Sequence, residues 1–261
     1  MRRWLVWAFV VFIASTLTGW WVYNIYKPTY TFTKPAQAAL VISFDDRYVE
    51  AWHKHRDLFK RYGVRATFFI TVTDQLTAAE VQMLRDLSAD GHEIASHSFT
   101  HINAPKFVKQ EGMAAYVEQD IIPSIKTLQS QGFSPVTFAY PYGARSRELD
   151  RELSKYFYLL RGDSWKDAGK GIDELDRIYY TFSGRRVIHA LGIDANSGVS
   201  LQDLEAGFAR ASRNKEAINI YAHNISEDSA GYSISPHTLE KIFKLAKQYQ
   251  LQSLTFRDLV L

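Results

Sequence analysis

The chain has 261 residues, 46% of them hydrophobic and 23% charged, which is enough apolar material for one large core. Its net charge of +3 comes from mixed clusters such as RSRELDRELSK, which read as a solvated helix face and exclude a basic stripe for nucleic acid. With no cysteine there is no disulfide framework, thiol nucleophile or thiolate metal site, so any metal must be held by histidine and carboxylate.

After Arg2 and Arg3 comes WLVWAFVVFIASTLTGWWVY, residues 4–23, without a single charge. As a helix it would extend roughly 30 Å, the thickness of a bilayer core. Trp4 and Trp7 at one end, with Trp20, Trp21 and Tyr23 at the other, stand where aromatic rings favour the headgroup level. We expect residues 1–23 to be a membrane anchor, the arginine pair inside and the rest of the chain periplasmic or extracellular. A cleaved signal peptide is the competing reading. Its apolar core would be unusually long, and the A-x-A-like Ala36-Gln37-Ala38 lies far beyond it. Residues 24–38 hold two prolines and no apolar periodicity and read as a linker, which leaves residues 39–261 as one domain.

Within that domain, short β-branched or aromatic runs alternate with amphipathic stretches. The spacing predicts strands at ALVISF (39–44), RATFFI (65–70), HEIAS (92–96) and VTFAY (136–140), with helices around 48–62, 77–90 and 107–131 between them. It continues with strands at YFYLL (156–160), RRVIH (185–189) and AINIYA (217–222), and helices from about 200 to 213 and 236 to 249. Thr77-Ala-Ala-Glu80 has the form of a capping box, and Ser235-Pro236 places a cap residue ahead of a first-turn proline. This alternation implies an α/β fold with a mostly parallel sheet, open or closed into a barrel.

In both architectures reactive groups collect beyond the carboxyl ends of the strands. Asp45-Asp46 follows the first predicted strand, His97 and His101 the third, Pro141-Tyr142-Gly143 the fourth, and His223 the last. Two imidazoles four apart on a helical turn share a face and can grip one ion. Asp46, His97 and His101 therefore make a metal triad with a fourth position left for water. Zinc suits it first, and cobalt, nickel or iron accept the same ligands. Strand alternation turns Asp45 away from its neighbour, where it can act as general base. His223 is suited to protonating a leaving amine. His53 and His55 read as surface residues and His92 as opening its strand at the opposite rim. His189 ends a strand and could reach the site, but is left unassigned.

The set SFDD (43–46), HSFTH (97–101), FAYPYG (138–143) and IYAH (220–223), with a terminal FRDL, resembles the polysaccharide deacetylases of carbohydrate esterase family four, the NodB homology domain. The resemblance covers roughly residues 38–258. It implies a distorted (β/α) barrel of about seven repeats and metal-dependent removal of acetyl groups from acetylated glycans. It also implies that the backbone N–H of Tyr142 helps hold the oxyanion. FAYPYG resembles the branch acting on exported poly-N-acetylglucosamine, which implies a cell-envelope glycan as substrate. Peptidoglycan, an O-acetylated glycan or a lipid-linked sugar would suit the same chemistry, and an inactive glycan-binding module is the rival of a different class. Two positions depart from the family pattern. RGDSW (161–165) only echoes its aspartate-pair and tryptophan motif through Asp163 and Trp165, and Ala139 stands where an arginine commonly orients the catalytic aspartate. Arg161, expected to emerge beside the VTFAY strand, is the candidate replacement, with Arg47 second.

Overall fold

The structure is a computed structural model that describes residues 37–71, 76–167 and 169–260. The expected membrane anchor and nearly all of the linker lie outside the described residues. Among those described, no helix is long and apolar enough to cross a membrane.

Eleven strands occur among the described residues: β1 (Ala39–Asp46), β2 (Ala66–Ile70), β3 (Glu93–Ser96), β4 (Thr137–Ala139), β5 (Leu159–Ser164), β6 (Tyr179–Tyr180), β7 (Val187–Gly192), β8 (Ala217–Ala222), β9 (Asn224–Ile225), β10 (Ser233–Ile234) and β11 (Gln252–Leu254). Seven of them, in the order β1-β2-β3-β4-β5-β7-β8, pair in parallel, and β8 returns to β1 in register from Ala39↔Ala217 to Phe44↔Ala222. The sheet is thus a closed parallel barrel of seven strands. Its distortion has a visible source. β1 pairs with β2 only through Ile42–Asp46, while Ala39–Val41 pair with β11, which wedges in at the bottom of that seam.

Side-chain alternation along each strand separates two environments. Leu40, Ile42 and Phe44 of β1, and Ala66, Phe68 and Ile70 of β2, join the apolar layer beneath the surrounding helices. Ser43 and Asp45 alternate with them and face the barrel interior, as do Thr67, Glu93 and Thr137 on their strands. Near the amino ends of the strands, Glu93 accepts hydrogen bonds from the hydroxyls of Thr67 (2.9 Å) and Thr137 (2.6 Å) and from the Arg257 N–H (2.8 Å). The carboxyl ends are left for a second polar layer, which forms the site.

The capping signals act where they were expected. Thr77 and Glu80 form a complete capping box on the helix Ala78–Ala89, and the Ser235 hydroxyl accepts from the Thr238 N–H at the start of Pro236–Gln248. Other boundaries differ from the sequence-based expectation. The stretch 107–131 is not one helix: Gly112 (φ 89°) separates Ala104–Glu111 from Met113–Tyr116, which runs through a π-helical turn, Val117–Ile121, into Ile122–Ser130. The strand expected at 156–160 is instead β5, so Arg161 and Asp163 lie within a strand rather than after it. β7 begins two residues later than expected, so His189 is its third residue. It pairs with Gly162 and packs against it on the outer face of the barrel, away from the site. Its pKa is lowered to about 4, by burial first and then by Arg145 and Arg177.

Candidate active site

The ladder brings the strand ends level. Beyond the strands it continues with the Thr71 N–H donating to the Asp46 carbonyl (3.2 Å) and the His97 N–H to the Ile70 carbonyl (2.9 Å). Asp45, Asp46, His97, His101, Tyr142 and His223 all line one cavity of about 260 Å³, together with Asp163, Trp165, Tyr221 and Tyr232.

Asp46 does not obey the alternation expected of its neighbour. Its φ of 79° is left-handed. This swings its carboxylate back into the cavity that Asp45 already faces, so the two aspartates share one site instead of pointing apart. Asp46 Oδ1 lies 3.5 Å from His97 Nε2 and 3.2 Å from His101 Nε2, and one ligand atom from each residue falls within 4.8 Å of the others. His97 Nδ1 donates to the Ala139 carbonyl (2.9 Å), which leaves its Nε2 lone pair facing the cluster. Asp46 Oδ1 is buried and makes no hydrogen bond. Burial would raise the Asp46 pKa, but the adjacent His101 and His97 imidazoles hold it well below the usual carboxylate range. An ionised oxygen and two imidazole nitrogens converging within 4.8 Å fit a divalent cation.

The HSFTH segment is not a helical turn, contrary to the expectation from its spacing. It is an irregular loop in which Ser98 (φ 68°) and His101 (φ 56°) both adopt left-handed backbone. The His101 N–H donates to the Ser98 hydroxyl (2.9 Å), and the Asp120 carboxylate caps the N–H groups of Phe99 and Thr100 (3.2 and 2.9 Å).

Asp45 is held on its other side by Arg161. Ala139 of β4 pairs in register with Arg161 of β5, so the guanidinium enters the barrel beside the position where the family pattern has its arginine. Its Nη2 donates to Asp45 Oδ2 and its Nη1 to Asp163 Oδ1 (2.6 Å). It is only 1% exposed and lies over the ring of Tyr221, 4.4 Å from the centroid. Burial opposes its charge, but Asp45 and Asp163 outweigh burial and raise its pKa further. Asp45 Oδ1 is left buried without a partner. Arg47, the second candidate, turns away to pair with Glu80 (Nη2–Oε2 2.9 Å).

On the opposite wall, His223 Nδ1 meets Asp194 Oδ2 at 2.6 Å, and the His223 N–H donates to Asp194 Oδ1 (3.0 Å). The Trp52 indole donates to the His223 carbonyl (2.8 Å). Burial disfavours the imidazolium, yet the Asp194 hydrogen bond and the Asp45 charge raise the His223 pKa on balance. Sequence reasoning missed Asp194, which follows β7 just as the other site residues follow their strands. That position was the available signal.

Tyr142 sits in left-handed backbone (φ 60°) within a turn closed by the Gly143 N–H to the Tyr140 carbonyl and the Ala144 N–H to the Pro141 carbonyl. Gly143 cannot carry a side chain there: a Cβ would lie 2.6 Å from Asp163. The Tyr142 ring packs on His101, with centroids 4.6 Å apart. Tyr142, Trp165 and Tyr232 are 66%, 52% and 57% exposed and ring the mouth of the cavity.

Residues 33–159 match the family model described as polysaccharide deacetylase. The chain is 29% identical over 119 residues to the peptidoglycan-N-acetylglucosamine deacetylase PgdA of Listeria monocytogenes, a match covering 44% of this chain and 24% of that protein. The chain therefore spans only about a quarter of that relative's length. Among solved structures it resembles the chitin deacetylase of Colletotrichum lindemuthianum, with a TM-score of 0.56 and 16% identity, covering 87% of this chain and 89% of that one. It also resembles the peptidoglycan deacetylase PdaC of Bacillus subtilis, with a TM-score of 0.51 and 19% identity, covering 87% and 92%. At these identities the two structures speak to the fold alone. The four sequence motifs gather around one cavity, and over residues 33–159, the segment that carries three of them, the chain matches the polysaccharide deacetylase family.

Proposed function

We propose that the protein is a metal-dependent deacetylase removing N-acetyl groups from an N-acetylglucosamine-containing glycan of the cell envelope. The observation that carries this reading is one small cavity holding the Asp46–His97–His101 cluster, the buried Asp45 with a free oxygen, and His223 backed by Asp194. A divalent cation, zinc first, supplies when bound the Lewis acidity that polarises an acetamide carbonyl and makes water nucleophilic at neutral pH. Asp45 takes a proton from the attacking water through Oδ1, while Arg161 fixes its rotamer. The Tyr142 N–H donates to the developing oxyanion. His223, with Nδ1 committed to Asp194, delivers a proton from Nε2 to the departing nitrogen. The three exposed rings at the mouth offer flat apolar surface to sugar rings, which favours a glycan over a small amide.

The Arg161–Asp45 pair favours this reading over an inactive glycan-binding module, because Ala139 leaves no gap in the support of Asp45. The relative named a peptidoglycan-N-acetylglucosamine deacetylase makes peptidoglycan an alternative to exported poly-N-acetylglucosamine. We expect purified full-length protein to release acetate from a chitooligosaccharide, poly-N-acetylglucosamine or peptidoglycan, to lose that activity to a chelator and to regain it with zinc. Metal-loaded protein that bound these glycans yet released no acetate from any of them would instead be the binding module. The uncharged run at 4–23 supports an anchor that places the domain outside the membrane, and extraction of full-length protein by a carbonate wash would remove that support.

Asp194 gives the reading a pH signature. A proton-donating His223 is active below its pKa, and Asp194 raises that pKa. Asp194→Asn should therefore move the basic limb of the pH–rate profile to lower pH while leaving metal content unchanged. A basic limb that did not move would separate His223 from the proton-donating step.

A further inference from the structure

The two histidines of HSFTH belong to a loop that cannot hold its own shape. Two of its five residues are in left-handed backbone, which costs L-residues about 1–2 kcal/mol each. Beyond His97, whose N–H extends the ladder to the Ile70 carbonyl, the segment has no helical or strand ladder to satisfy its N–H groups. Something outside the loop must impose the geometry that puts both Nε2 atoms beside Asp46.

The neighbouring helix does this from two side chains one turn apart. Asp120 Oδ1 accepts from the N–H groups of Phe99 (3.2 Å) and Thr100 (2.9 Å) and from the Thr100 hydroxyl (2.8 Å). Ser124, four residues on, shares a hydrogen bond with the Ser96 hydroxyl (2.7 Å), which in turn accepts from the Ser98 N–H (3.3 Å). Asp120 is 1% and Ser124 0% exposed. Asp120 lies in the π-helical turn Val117–Ile121, where the wider winding shifts side-chain register relative to the α-helical segments on either side.

From this geometry we infer that Asp120 is a positioning residue for the metal centre, delivered by the π-helical turn to lock the His97–His101 loop in its ligating form. The inference rests on the metal-site reading given above. It assigns a residue outside the four sequence motifs, acting through backbone N–H groups and touching neither metal nor substrate. Outer partners that orient ligands typically carry 10–100-fold in metal affinity.

The test compares Asp120→Ala with Asp120→Asn in full-length protein, titrated with Zn²⁺ against a competing chelator and, separately, loaded with Co²⁺ for its visible absorption spectrum. Asp120→Ala leaves the N–H groups of Phe99 and Thr100 without their acceptor. It should weaken Zn²⁺ binding by about 10–100-fold and alter the Co²⁺ spectrum. Asp120→Asn keeps an oxygen at Oδ1 and should recover most of the affinity and the wild-type spectrum. If Asp120→Ala melts at lower temperature but binds Zn²⁺ and gives the Co²⁺ spectrum as wild type does, Asp120 is only structural and the inference is overturned. If Asp120→Ala does not fold, Asp120→Asn decides. The inference stands if that variant binds Zn²⁺ within a few-fold of wild type with an unchanged spectrum and a slightly faster metal off-rate. It falls if the off-rate is unchanged. Wild-type protein that bound neither ion would overturn the metal-site reading itself, a separate outcome.

Discussion

Asp45→Asn is expected to purify with a full complement of metal and to lose turnover by about a hundredfold or more, the usual scale for a positioned base. Asp46→Ala, His97→Ala and His101→Ala should each lose metal and activity together. The contrast follows from what each carboxylate touches. Asp46 Oδ1 faces the two Nε2 atoms, whereas Asp45 Oδ2 is engaged by Arg161 and only Oδ1 remains for a proton. His97 Nε2 is 3.5 Å from Asp46 but 3.9 Å from Asp45, so the two aspartates are near enough for their roles to be exchanged by a small shift. Elemental analysis beside an acetate-release assay separates them. A metal-free Asp45→Asn and a fully loaded Asp46→Ala would reverse the assignment.

Arg161→Ala should have the largest effect on stability of any single change at the site. The guanidinium is buried between two carboxylates, and its removal leaves Asp45 and Asp163 without their shared cation, at a cost of about 3–5 kcal/mol. The structure therefore corrects the sequence-based expectation of an arginine just after its strand: Arg161 lies buried within β5 and bears on folding as well as on Asp45. Thermal denaturation measures this directly. Arg161→Lys keeps the charge and loses the planar fork that spans both carboxylates, so it should fold, retain metal and fall about a hundredfold in kcat through misplacement of Asp45. Wild-type kcat in Arg161→Lys would show that Asp45 is positioned without the fork.

Sequence alone was sufficient for the features that are local or follow chain direction. The capping pairs Thr77–Glu80 and Ser235–Thr238 act across three residues, so they can be read from spacing. Alternating strands and helices imply parallel strands, and parallel strands put whatever follows them on one rim. That is why chain order alone groups Asp46, His97, His101, Tyr142 and His223.

Tertiary structure decided what depends on register, closure and individual backbone angles. Closure of the sheet came from the return of β8 to β1, a pairing between residues almost 180 positions apart that no local pattern encodes. Arg161 reaches Asp45 because β5 aligns it with Ala139, and the two partners are 116 residues apart. Asp194 follows a strand that the sequence reading ended three residues too early, at 189 instead of Gly192, which hid its place on the rim; Asp120 belongs to no recognisable spacing, and its partners are set by packing. Asp46 and the HSFTH loop were misread for a related reason. Strand alternation and helical periodicity assume regular dihedrals, and Asp46, Ser98 and His101 all leave them for left-handed backbone. Residue types can announce a site, but the irregular backbone that shapes it is held by contacts from elsewhere in the fold.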